Sequence, residues 1–303
     1  MFIVKAAAIA AALVCVAGGT ASAHAGAPTI FQAVTVFAIG PEDSYVAEYS
    51  GTPGQWTIIG GPATSVYAGS AGVFAVSPGS GDIYQYDGTP GQWTAIGGPG
   101  SFTEAGSHLY GLGPNGAYVA EYDGTPNEWT IVRSQGAWAI YGGADGLFAV
   151  SRDNAQDVLQ YNGTPGDWTN LEFGPVLRIA VGTNSVYADS LNGQDVEQWI
   201  PGSGWIKIGP PTPGQSGDGL VAGGGGLVMA IPSAGEVVKY NGTPGSWSVI
   251  STDPTLGALT VSTDYIYGID FAGTTTAVDV YSGSGTQWTV IGGPASAPLG
   301  AGD

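Results

Sequence analysis

The chain is poor in cysteine, histidine and basic residues. Cys15 is the one cysteine among 303 residues, His24 and His108 are the two histidines, and six lysines and arginines are set against 24 acidic residues. One cysteine excludes an internal disulfide, and with two distant histidines it excludes a Cys/His zinc centre. The formal net charge of −18 makes nucleic acid and anionic membrane poor partners. Past residue 23 there is no long apolar run, so membrane insertion is not expected. Helical periodicity is absent there as well. Gly223 to Gly226 precedes no helix and follows no phosphate-loop pattern, so it reads as a turn.

What is present begins with a leader. Lys5 precedes an apolar run of small residues from Ala6 to Gly18, and Ala21-Ser22-Ala23 has the A-x-A form of a signal-peptidase site. The run is too short to span a bilayer as a helix. The expectation is a secreted chain, cleaved after Ala23, with residues 24–303 as one domain.

That domain is rich in turn formers and aromatics, with 53 glycines, 20 prolines and 11% Phe, Trp and Tyr. The pattern is periodic. Tyr86-Asp87-Gly88-Thr89-Pro90-Gly91-Gln92-Trp93-Thr94-Ala95-Ile96-Gly97-Gly98 has close copies starting at Tyr49, Tyr122, Tyr161 and Tyr240, and looser ones at Trp199 and Tyr281. The seven motif tryptophans are Trp56, Trp93, Trp129, Trp168, Trp205, Trp247 and Trp288, a period of about 40 residues. Asp-Gly and Pro-Gly are consecutive turn signals, so the tyrosine ends one strand and the tryptophan opens the next. Burying each indole stabilises by up to about 5 kcal/mol, which favours packing between neighbouring units as the role of all seven.

Each unit divides into four short strands. In the second they are Ser65–Gly69, Val73–Ser77, Asp82–Tyr86 and Trp93–Ile96, separated by Gly and Pro. Four strands in about 40 residues is the size of a propeller blade. The predicted fold is therefore all-β: a seven-bladed β-propeller with about four antiparallel strands per blade. Residues 29–40 lack an obvious internal turn, while Gly293 to Gly300 resembles Gly61 to Ala68. Either the C-terminal tail or the N-terminal segment supplies the first blade's inner strand.

The second strand recurs as a large residue followed by small ones: Val36-Phe37-Ala38-Ile39, Leu147-Phe148-Ala149-Val150 and Ile266-Tyr267-Gly268-Ile269. This strand, paired with a later Trp, resembles the tectonin repeat over all seven units, with Phe or Tyr mostly standing where that family's strand has Trp. The resemblance implies a propeller and lectin-like recognition of sugars or cell surfaces.

Residues that depart from the repeat, or that repeat a polar group, are the candidate sites. Glu48, Gln85, Glu121, Gln160 and Gln198 precede the third-strand aromatic, joined by Lys239 and broken by Val280. Polar groups in strands covered on both faces need hydrogen bonds, which means bracing between blades or pockets between them. Trp138 is the one tryptophan outside the motif, and it aligns with Ser65, Phe102 and Arg178 in the first strand of successive units. Phe102, Trp138 and Arg178 thus form a candidate ligand site, with packing as the alternative. Asp82, Asp157, Asp195 and Glu236 recur four residues before the third-strand aromatic. They read as a solvated acidic rim or a site for calcium or a cationic partner, without the spacing of a known calcium loop. His108 reads as a turn residue, and with no second base at hand no catalytic residue is assigned.

The expected function is non-catalytic recognition of a glycan, of a cell-surface glycoconjugate or of an extracellular protein, with no cofactor. The alternatives are an extracellular hydrolase or lyase on the same scaffold, or a purely structural propeller.

Overall fold

The computed structural model describes residues 36–152, 156–190, 195–209, 218–272, 276–293 and 295–301. Seven four-stranded antiparallel sheets follow one another along the chain. In the second, the strands are Ser65–Gly69, Gly72–Val76, Ile83–Tyr86 and Trp93–Gly97, called A, B, C and D from the axis outward. This is a seven-bladed β-propeller. The expected leader, residues 1–23, lies outside the described residues.

The first blade is made from both ends of the chain. Its strand A is Ser296–Ala301, which pairs antiparallel with strand B, Val36–Ile39. Strands C and D are Val46–Tyr49 and Trp56–Gly60. Thr260 of the seventh blade donates to the Leu299 carbonyl at 3.1 Å, and Ser296 donates to the Gly40 carbonyl at 3.1 Å. The C-terminal strand therefore sits innermost and closes the ring, removing two open sheet edges.

The repeated motif joins one blade to the next. Trp93 donates its indole N–H to the Ile59 carbonyl of the preceding blade at 2.8 Å. All seven motif tryptophans do the same, ending with Trp56, which bonds Ile291 of the seventh blade at 3.1 Å. The turn contributes a second donor: the Gly91 N–H reaches the same Ile59 carbonyl at 2.8 Å. Gly91 does this at φ +81°, a conformation that explains Pro-Gly in the motif, and Asn127 takes the equivalent place at φ +66°. Each motif tryptophan also packs on its hairpin partner, as Tyr86 does on Trp93 at 5.1 Å between ring centres. The core lies in layers between blades. Ile39, Ile59, Val66 and Ala75 fill the gap between the first and second, for example.

Near the axis the A strands crowd together. A Cβ at Gly142 would lie 1.9 Å from the Glu104 carbonyl oxygen, and one at Gly143 would lie 2.3 Å from that of Val181. Glycine is required there by backbone approach.

Candidate functional site

The topology gives the ring two different faces. One carries the A–B and C–D hairpins. The other carries the B–C loops and the D–A connections. Most strand residues pack against neighbouring blades, so exposed aromatics are informative. Tyr118, Trp138 and Phe271 are exposed large aromatics, and all lie at the B–C and D–A face. Leu177, exposed at the start of the fifth blade's A strand, joins them.

Trp138 is the most exposed of these, at 55%. Its backbone is anchored: the N–H bonds the Val150 carbonyl at 2.9 Å, and neighbouring Ala137 is fully buried. The ring is left outward, with the Arg152 guanidinium 4.7 Å from its centre. Arg152 is fixed in turn by the preceding blade. Its Nη1 donates to the carbonyls of Asn115 at 2.7 Å and Gly116 at 3.0 Å. Gly116 also accepts from the Ala137 N–H at 3.1 Å. The result is an exposed indole, braced on one side by a guanidinium held across a blade junction.

Arg178 is elsewhere, in a cavity of about 430 Å³ on the axis lined by inner strands of all seven blades. Glu104 and Arg178 are the charged side chains of that lining. Nη2 of Arg178 is 3.4 Å from Oδ2 of Asp189, whose side chain is fully buried. Other blades have Ile39, Val76, Leu112, Val150, Ala230 or Ile269 at the position of Asp189. The fifth blade thus places a carboxylate where the others are apolar, and an arginine beside it matches the charge.

Phe102 is different again. It packs on Trp129 at 6.0 Å, in a gap between the second and third blades. The expected alignment of the three residues is corrected by the strand pairing. Phe102 lies opposite Gly111 and Arg178 opposite Asp189, whereas the Trp138 N–H bonds Val150 as that of Thr64 bonds Val76. They occupy three successive register positions, equivalent to Val66, Ser65 and Thr64. Neighbouring strand positions point to opposite faces, which separates Arg178 from the other two, and Trp138 differs from Phe102 in preceding its strand, at the blade's exposed end.

The Glu/Gln series faces the next blade. Tyr122 of the third blade donates to Oε1 of Gln85 at 3.5 Å. Burial, and then the Glu48 charge, raise the Tyr86 phenol. Glu121 lies 2.8 Å from Nδ1 of His108, which opens the third blade's B strand. Gln198 donates to Ser185 at 3.0 Å. Gln160 holds the same register, opposite Phe148 and Thr169.

Asp82, Asp157, Asp195 and Glu236 stand on four different blades. Asn170 donates to Asp157 at 2.8 Å, and Lys207 pairs with Asp195. Among the described residues no three Asp, Glu, His or Cys side chains are grouped to hold a metal ion. Sequence reasoning passed over Asp279, whose carboxyl is pushed up to about 6 by burial and by repulsion from Asp270 and Asp253. Its position is uncharged in the first four blades, as Ala47, Tyr84, Ala120 and Leu159, and that contrast was the available signal.

Strand order, blade count and closure define the class: a seven-bladed β-propeller. Solved structures of similar architecture include virginiamycin B lyase from Staphylococcus aureus, with a TM-score of 0.58 and 13% identity over 79% of this chain and 89% of that one. AztD from Citrobacter koseri has a TM-score of 0.54 and 12% identity, over 86% and 82% of the two chains. YCF48 from Cyanidioschyzon merolae has 0.53 and 12%, over 77% and 86%. No family model and no curated protein sequence matches the chain. At these identities the likeness is one of fold, and propellers host unrelated functions.

Proposed function

We propose that this is a secreted, non-catalytic recognition propeller that binds glycans or glycoconjugates through its B–C and D–A face. The observation that carries this reading is Trp138. The seven motif tryptophans are engaged in joining blades, whereas the Trp138 ring is 55% exposed on an anchored backbone. An indole face held rigid by Arg152 is a stacking platform for a pyranose ring, and aromatic rings combine large contact area with little entropy to lose. The tectonin resemblance points the same way. Weak single contacts gain strength on a surface that presents many copies of the ligand. The acidic surface favours neutral or cationic sugars over sulfated ones. No metal is assigned to this site, so a chelator is expected to leave binding intact.

The test is a glycan array together with soluble polysaccharides, read for the wild type and for Trp138→Ala. Binding by the wild type and at least tenfold weaker binding by a variant with the same melting temperature is the expected result. A folded wild type that gives no signal on any glycan would redirect attention to protein ligands; YCF48, of similar fold, has been solved bound to a peptide.

A further inference from the structure

One row of side chains in each blade crosses strands B, C and D on the side facing the preceding blade. In the fourth blade it reads Ala149, Leu159, Asn170, and in the sixth Met229, Val238, Val249. In the first and third it reads Ala38, Ala47, Ile58 and Gly111, Ala120, Ile131. With alanine on strand C, the space beside the motif tryptophan stays open. Two cavities result at equivalent positions, about 250 Å³ between the seventh and first blades and about 230 Å³ between the second and third.

The two are built alike. Tyr45 and Trp56 line one, Tyr118 and Trp129 the other, and Phe102 adds an inner wall to the second. Each tyrosine follows a 3-10 turn, Pro41–Asp43 or Pro114–Gly116. Each turn is closed by a glycine N–H bonding the tyrosine carbonyl, Gly40 to Tyr45 at 2.8 Å and Gly113 to Tyr118 at 2.9 Å. Each tyrosine ring lies over that glycine, so that a Cβ there would come 2.4 Å from Tyr45 or 2.5 Å from Tyr118. Glycine, tyrosine and alanine are thus coordinated choices, made twice.

The chemistry of the lining is narrow. Among the described residues no charged side chain borders either cavity. The indole N–H groups of Trp56 and Trp129 are already engaged by the carbonyls of Ile291 and Ile96. Aromatic faces, aliphatic carbon, one tyrosine hydroxyl and main-chain polar groups remain, the last more prominent in the cavity between the seventh and first blades. We propose that these are two equivalent binding sites, each for one uncharged aromatic or alicyclic ring bearing a small polar substituent. An apolar cavity of about 150 Å³ holds benzene, so the volumes here suit a single substituted ring. The proposal does not depend on the glycan reading, because Trp138 borders neither cavity.

The test uses 4-fluorophenol as probe, followed by fluorine NMR and calorimetry on the whole mature chain. Two equivalents per chain are expected. Ala47→Leu and Ala120→Leu should each remove one, and the double variant both. Leucine is the residue the fourth blade carries there, buried as Leu159, so the variants should melt at or above the wild-type temperature. Should leucine disturb the fold, Ala47→Val and Ala120→Val make the same test, valine being what the sixth blade carries there as Val238. No saturable binding at millimolar probe, one equivalent in place of two, or two equivalents surviving in the folded double variant would each overturn the proposal. 4-Fluorobenzoate should bind at least tenfold more weakly, and equal binding would overturn the restriction to uncharged rings.

Discussion

Asp279 shows how one substitution in a repeated position changes the response to acid. Its Oδ1 is buried without a hydrogen-bond partner among the described residues. Burial, with Asp270 and Asp253 adding repulsion, pushes the carboxyl from 3.8 up to about 6. Between those values the folded chain holds a proton that the unfolded chain has released. Asp279 therefore makes stability fall as pH rises through that window. Asp279→Asn is expected to remove this contribution, so that the variant gains on the wild type between about pH 4 and pH 6 in urea titrations. Parallel pH profiles for the two proteins would show that Asp279 ionises without penalty. Trp93 tests the structural role of the motif. Trp93→Ala deletes a half-buried ring, its packing on Tyr86 and its bond to Ile59. A loss of about 3–5 kcal/mol is expected in chemical denaturation. A variant with wild-type stability that no longer bound its ligand would reassign the motif tryptophans to recognition.

At the scale of elements, the final strand matters most. Ser296–Ala301 covers the edge of Val36–Ile39 and buries Leu299. Deleting residues 294–303 should expose that edge and lower the melting temperature of the whole ring, because each blade is packed on its neighbours. A calorimetric scan unchanged by the deletion would mean that another segment takes over the strand. Strand positions were largely legible in the sequence, since Gly and Pro mark nearly every junction and β-branched and aromatic residues fill the strands. Register in the A strands was not. The repeats align on the Trp motif, but Val176–Val181 carries a bulge between Val176 and Arg178, and Trp138 precedes its strand. Counting residues therefore placed Phe102, Trp138 and Arg178 at one position when pairing places them at three. The cavities left another trace, in Tyr-Val-Ala-Glu-Tyr at 45–49 and again at 118–122. Reading its meaning needed knowledge of which way each alanine faces.

At the scale of the molecule, blade count and architecture followed from seven tryptophans recurring at a near-constant interval, because a repeat that cannot bury its own faces must stack on copies of itself. The candidate sites followed less well. They depend on where the repeat fails, and a departure such as Asp189 acquires meaning only when Arg178 is seen beside it. Closure by the last strand has one more consequence. Val36 pairs with Ala301, so the first and last described residues meet. Both stand at the end of the first blade that carries the A–B and C–D hairpins, opposite the face of Trp138, Tyr118 and Phe271. A tether joined directly at Val36 or Ala301 would hold the disc from behind, leaving its aromatic side turned outward like the dial of a wall clock.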